Sequence, residues 1–192
     1  MADPGLYIWM ETREEHRSHE EPMKTNDEST RLKCVASCSS TYSGGSFPAW
    51  RAFDLSETTA CWASNNSATA PWLQLIFAEP MYDITVTITN RGDNATINGV
   101  ISGKIYGWNT EEGETYETVQ ETPLITFSDR NATTSRHSTE HKLEGTKNHP
   151  CNAIRLKVDT WKKTSKYGYA AVGELKITGY LIPSDGGWTK VC

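Results

Sequence analysis

The 192-residue chain has little that would hold nucleic acid or cross a membrane. It carries 19 Lys and Arg against 24 Asp and Glu, a formal net charge of −5. Nucleic acid needs a basic stripe and an anionic bilayer surface needs a basic cluster, so the overall charge speaks against both. No apolar run approaches the ~20 residues that span a hydrocarbon core. The opening Met1-Ala2-Asp3-Pro4 has neither a basic segment nor a long apolar one, so no secretory signal is expected. Catalytic signatures are missing as well. There is no His-Glu-x-x-His zinc motif, no phosphate-cradling glycine loop and no Gly-x-Ser-x-Gly elbow. Ser43-Gly44-Gly45-Ser46 reads as a flexible turn. Cys34 and Cys38 lack two-residue zinc spacing and a second cysteine pair. His137 and His141 stand four apart, which brings two ligands together on a helix but not on a strand. An enzyme is not expected.

Hydrophobic residues make up only 36% of the chain, yet seven Trp and eight Tyr are present. A β-sandwich tolerates such a composition because only alternate residues of each strand face the core. Large aromatic rings serve either as core anchors or as binding platforms. The five cysteines, Cys34, Cys38, Cys61, Cys151 and Cys192, are odd in number, which favours thiols in a reducing compartment. Sequons begin at Asn65, Asn94 and Asn131 and matter only in a glycosylating pathway.

Residues 1–31 differ from the rest. An apolar patch, Leu6-Tyr7-Ile8-Trp9-Met10, precedes a highly charged stretch from Glu11 to Glu21. That stretch contains good helix formers but no apolar stripe to hold a helix on a core. It reads as an N-terminal arm, either solvated or docking its patch on a neighbouring subunit. From Leu32 the texture is β, with alternating or β-branched segments punctuated by Gly, Asn, Asp and Pro. Strands are expected at 33–37, 72–77, 82–90, 103–108, 117–119, 124–127, 135–143, 153–158 and 172–180. Ile84-Thr85-Val86-Thr87-Ile88-Thr89 alternates most clearly, with one apolar face and one polar face. The segment around His137 and His141 reads as a polar edge strand. The division expected is 1–31 arm, 32–183 sandwich and 184–192 tail, with no internal repeat. The fold class is all-β, an antiparallel jelly-roll β-sandwich.

Four stretches carry a family resemblance. They are Pro48-Ala49-Trp50-Arg51-Ala52-Phe53-Asp54; Cys61-Trp62-Ala63-Ser64; Trp72-Leu73-Gln74-Leu75-Ile76-Phe77 with Pro80; and Ile154-Arg155-Leu156-Lys157-Val158 followed by Tyr169-Ala170-Ala171-Val172-Gly173-Glu174-Leu175. In this order they resemble the discoidin, or coagulation-factor C-type, family of galactose-binding-like domains over about residues 33–181. The wording of the first stretch, with Ile88-Thr89-Asn90-Arg91, is similar to versions carried by phage tail-fibre and other virion proteins. The resemblance implies a mostly non-catalytic jelly roll with ligand loops at one end. It also implies a calcium site near Asp54, with Thr59 and Glu174 as further ligands. An oxygen-only set suits Ca²⁺, but Leu55 stands where the family has Gly, and a Cβ resists positive φ there. A family disulfide would correspond to Cys34 with Cys192.

Ligand contact is assigned to Tyr42, Arg91, Asn94, Trp161 and Tyr167. The aromatic rings would stack on the apolar face of a sugar, and the Arg fork would take hydroxyls or a carboxylate. The Arg91-Gly92-Asp93 tripeptide reads as a chance occurrence. Trp50, Phe53, Trp62 and Trp72 are assigned to the core. The function expected is a non-catalytic glycan-binding or adhesion module of a virion, such as a phage tail fibre, contacting host-surface carbohydrate within an oligomeric assembly. The alternative is a structural virion adaptor using the same sandwich for contacts with neighbouring subunits, and an extracellular or cell-surface setting is the alternative to the virion. Exposure of Trp161 and Arg91 on the free protein is expected of the adhesin and not of the adaptor.

Overall fold

The computed structural model describes residues 16–18, 34–56, 61–92, 98–110 and 122–181. Ten strands follow in chain order: β1 (His16–Ser18), β2 (Val35–Cys38), β3 (Trp62–Ala63), β4 (Trp72–Thr89), β5 (Val100–Trp108), β6 (Ile125–Phe127), β7 (Ser138–Lys142), β8 (Cys151–Trp161), β9 (Ala171–Val172) and β10 (Glu174–Leu181). Short 3₁₀ turns lie at Ser43–Gly45, Ala49–Ala52 and Glu144–Lys147. Among the described residues no helix is long and apolar enough to cross a membrane.

The architecture is a curled antiparallel sheet forming two layers, as the alternation predicts. One layer runs β2-β4-β8-β5-β6 and the other β7-β4-β10-β1, with β4 in both. The expected strands 72–77 and 82–90 are therefore one long strand. Its first half pairs with β2 and β8 and its second half with β7 and β10. The ladder with β8 slips between Ile76 and Met81, where Pro80 removes a donor. Proline in a sheet is confined to such irregular places.

Alternation sorts the faces. Leu73 and Leu75 of β4, Ile154 and Leu156 of β8, and Ile105 of β5 meet Ile84, Val86 and Ile88 from the far half of β4, with Leu175 and Ile177 of β10. All are fully buried or nearly so, each contributing roughly 1.5–3 kcal/mol relative to exposure. Phe53 and Trp62 join this core, and Trp50 packs against its edge. Trp72 does not. It stands opposite Leu73 on the outer face, half-buried under Arg155, whose guanidinium lies 4.3 Å from its ring centre. Period-two geometry makes the Trp72–Leu73 pair unable to share one face.

Other expectations shift at the ends. Strand β8 runs on to Trp161, which pairs with Val100, so Trp161 closes a strand rather than riding a loop. The strand expected at 172–180 splits at Gly173 into β9 and β10, and β9 pairs with β3. The edge strand expected over 135–143 is Ser138–Lys142, bonded to β4 alone. Within the stretch read as an arm, His16–Ser18 adds to β10 through His16 opposite Tyr180 and Ser18 opposite Thr178. The apolar patch at 6–10, the expected strand at 117–119 and the tail lie outside the described residues.

Candidate functional site

Loops from several strands knit together at one end of the sandwich. After β2 the chain crosses to β3, where the Tyr42 N–H donates to the Ala63 carbonyl (2.7 Å) and Trp62 Nε1 donates to the Ser40 carbonyl (3.0 Å). The turn after β3 is tied to the strand-entry segment of β9. The Ser64 N–H donates to the Ala170 carbonyl, and the Ala170 N–H donates back to Ser64 Oγ (3.0 Å). The loop after β8 is fixed along its length. Trp161 Nε1 donates to the Gly168 carbonyl (2.8 Å), the Gly168 N–H to Asn66 Oδ1 (3.1 Å), and Asn98 Nδ2 to the Tyr167 carbonyl (3.2 Å). Asn98 holds its place at φ 46°, a left-handed conformation that Asn tolerates better than most residues.

These ties gather an aromatic cluster. The ring of Tyr42 lies 4.7 Å from Tyr169, 5.9 Å from Phe47 and 6.2 Å from Tyr167, and Tyr167 lies 5.5 Å from Tyr169. Tyr42, Phe47 and Tyr167 are half-buried, each keeping part of its ring at the surface, while Tyr169 is sunk beneath them. Arg91 enters from the end of β4, its Nη1 donating to the Tyr169 hydroxyl (3.2 Å) and its guanidinium lying 5.8 Å from the Phe47 ring. Lys166 sits 5.1 Å from the Tyr167 ring and Lys163 sits 4.8 Å from the Trp161 ring. Partly exposed tyrosine rings beside the Arg91 guanidinium can stack on a sugar ring and hydrogen-bond its hydroxyls.

The residues expected to contact ligand separate in this frame. Tyr42, Tyr167 and Arg91 come together. Asn94 lies outside the described residues. Trp161 corrects the expectation of exposure: it is 8% exposed, packs in the main core and spends its N–H on Gly168. Arg91 is likewise only 7% exposed. The exposure of Trp161 and Arg91 expected of the adhesin is therefore not met; both are held by the chain's own Gly168 and Tyr169, not by a neighbouring subunit, so their burial does not favour the adaptor either. Phe47 and Tyr169 were not legible as site residues. Tyr169 lies within a framework stretch of the resemblance, and Phe47 carries no local signal.

The four framework stretches occupy the places that the jelly roll needs: the 3₁₀ turn at Ala49–Ala52, β3, the first half of β4, and the β8, β9 and β10 group. The sequence model of the F5/8 type C domain matches residues 35–175. The chain belongs to the F5/8 type C family. No curated protein sequence matches it at a significant level, but many solved structures share the fold. A fucolectin from striped bass (Morone saxatilis) serum is 16% identical with a TM-score of 0.56, covering 79% of this chain and 47% of that one. The present chain thus spans about half of that lectin. A family 32 carbohydrate-binding module from C. perfringens NanJ, solved with galactose, is 18% identical with a TM-score of 0.54, covering 76% and 93%. A chitosan-binding module from a Paenibacillus sp. IK-5 chitosanase/glucanase is 22% identical with a TM-score of 0.55, covering 77% and 96%.

The family's calcium turn can be tested on this chain. Leu55 adopts φ 55°, so the left-handed turn is kept despite the Cβ, and the expected resistance is overcome at some strain. Asp54 Oδ1 accepts the Ser56 N–H (2.9 Å), capping its own turn. Burial, ahead of the opposing backbone bond and Arg51, raises the Asp54 carboxyl above the usual range. Glu174 is buried where β10 meets Thr89, and Thr59 lies outside the described residues. Among the described residues no three His, Cys, Asp or Glu side chains converge as a metal site.

Two of the described thiols, Cys38 and Cys151, are poor nucleophiles. Burial pushes Cys151 up to about 11, and it raises Cys38 as well, against hydrogen bonds that lower it. Both stay protonated near neutral pH, and reactive cysteines need the reverse. Cys34 is buried where β2 begins, and its family partner position, Cys192, lies outside the described residues.

Proposed function

We propose that this F5/8 type C domain is a non-catalytic glycan-binding module whose receptor surface is the Tyr42, Phe47, Tyr167 and Tyr169 cluster with Arg91. One observation carries the reading: three partly exposed rings and a fixed guanidinium converge on a loop end braced by side-chain to backbone hydrogen bonds. A braced site loses little conformational freedom on binding. Fold-mates that bind galactose or chitosan support the reading by analogy, because one sandwich hosts many roles.

Within this reading the module sits on a virion, as in a phage tail fibre, contacts host-surface carbohydrate and works as part of an oligomeric assembly. Support comes from the wording of the Pro48–Asp54 stretch. Immunolabelling of purified particles tests the setting, and unlabelled particles would remove it.

Glycan-array screening of the purified chain beside Tyr167→Ala tests the function itself. Saturable binding that the variant loses is expected. A blank array for the wild-type chain would overturn the glycan reading.

A further inference from the structure

The charge of this chain is unevenly spread, and the loop end departs from its average. The described loops around the aromatic cluster are residues 40–47, 64–70, 90–92, 98–99 and 162–169. They contain Arg91, Lys162, Lys163 and Lys166 and no Asp or Glu, in a chain whose net charge is −5. Of the nearest acidic positions in sequence, Asp93 lies outside the described residues. Asp159 lies back along β8, where Lys104 sits 3.7 Å away.

Elsewhere on the described surface, Lys104 and Lys142 sit against carboxylates, whereas Lys147, Lys157 and Lys176 stand singly rather than as a cluster. Lys142 lies 3.5 Å from Asp83 and 3.9 Å from Glu144, in addition to the Lys104–Asp159 pair. Among the described residues Lys162, Lys163 and Lys166 have no such partner. Two of them lie over rings instead: Lys163 over Trp161 and Lys166 over Tyr167.

The loop that bears them is anchored from inside. The Lys162 N–H donates to the Gly99 carbonyl (2.9 Å), the Thr164 N–H to the Tyr167 carbonyl (3.0 Å), and the Tyr167 N–H to Thr164 Oγ1 (2.9 Å). The three ammonium groups are therefore carried on a fixed rim beside the rings. An anion arriving there meets cations whose attraction is not already spent on carboxylates.

We propose that the site selects an anionic glycan, one bearing a carboxylate or sulfate, with the sugar ring on Tyr42 and Tyr167 and the anionic group toward Lys162, Lys163 and Lys166. This deepens the glycan reading and rests on it. Rim charges of this kind act on selectivity and salt response more than on overall affinity.

The test uses the full chain against matched probes: a galactose-terminated disaccharide, its sialylated form and its sulfated form, with phosphatidylserine vesicles as the membrane arm, each at about 50 and 300 mM NaCl, a range over which screening rises steeply. The acidic glycans are expected to bind at least tenfold more tightly than the neutral one at low salt, with the gap shrinking at high salt. The K162A/K163A/K166A variant, altered only at exposed positions, is expected to keep neutral-sugar binding and lose the preference. Equal binding of neutral and acidic probes would overturn the anion proposal and leave the glycan reading standing. A preference that survives in the triple variant would also overturn it. Binding to no glycan would overturn both, and binding to the vesicles alone would do the same.

Discussion

Arg130 is the residue whose loss should be felt most widely. It is buried, and its Nη1 donates to Asn90 Oδ1 and the Val100 carbonyl, while Nη2 donates to the Ile88 (2.6 Å) and His137 (2.9 Å) carbonyls. One guanidinium thus ties the end of β4, the start of β5 and the approach to β7. No carboxylate among the described residues pairs with it, and burial lowers its pKa to about 10, so it stays charged at neutral pH. Asn90 in turn donates to the Asn131 and Thr134 carbonyls and precedes Arg91 of the candidate site. Replacing Arg130 by Ala takes this donor from the Ile88 and Val100 carbonyls and from Asn90 Oδ1, while the His137 carbonyl keeps the Asn90 N–H (3.0 Å). Each stranded buried group costs about 1–3 kcal/mol. The losses do not add fully, so about 3–5 kcal/mol is expected for the three buried groups that lose this donor. Against a domain stability of about 5–15 kcal/mol, that is a large share. At ~2–4 °C per kcal/mol for a domain of this size, Tm should fall by roughly 6–20 °C. Urea unfolding followed by tryptophan fluorescence should show a lower midpoint with an unchanged slope. Arg130→Lys should recover only part, because an ammonium cannot fork across three strands. A loss for Arg130→Ala of less than about 1 kcal/mol would refute the assignment of this network as the clasp between layers.

Trp161→Ala should destabilise the fold by about 3–5 kcal/mol, since the ring lies in the core; thermal melts will separate this from the milder effect expected at half-buried Tyr167. Gly173→Ala should cost about 1–3 kcal/mol, because a Cβ there would lie 2.7 Å from the Asn90 carbonyl group and 2.8 Å from Arg91 Cα, both backbone; a wild-type denaturation midpoint would contradict this. His141, stacked 4.6 Å from Phe127, has its pKa lowered by burial first and by Arg130 second. Its folded value lies below the unfolded value of about 6.5, so its stabilising effect is complete above about pH 6.5 and is lost as pH falls toward the folded value. His141→Phe should flatten the stability-versus-pH curve in that window, and an unchanged curve would mean that another group sets it.

Two buried polar arrangements show why the site was only partly legible. Arg130 stands in a loop-like stretch with no motif, and its role comes from Asn90 and the Ile88 and Val100 carbonyls, 30 to 42 residues away in sequence. Arg155 belongs to a recognisable strand word, yet its lock on the outer face arises only when β8 pairs with β4. Its Nε then donates to Gln74 Oε1 (2.7 Å), and its guanidinium lies between Trp72 and Trp108. Tyr42, Tyr167 and Arg91 could be nominated because rings and forks in loops have few other uses. Trp161 was misplaced for the same reason: three polar residues after it look like loop, but nothing local says that its ring turns inward.

The sequence by itself determined the all-β class, the alternating core faces of β4 and β10, and the family. Those depend on period-two patterning and on four short words whose order survives without coordinates. Tertiary structure decided what joins across the chain. It made two expected strands one strand shared by two layers, placed Trp72 outside and Trp161 inside, and let Leu55 keep a glycine's turn. It also brought residues 42, 47, 91, 166, 167 and 169 to one end. Side-chain facing and loop assembly depend on partners distant in sequence, so no local pattern encodes them.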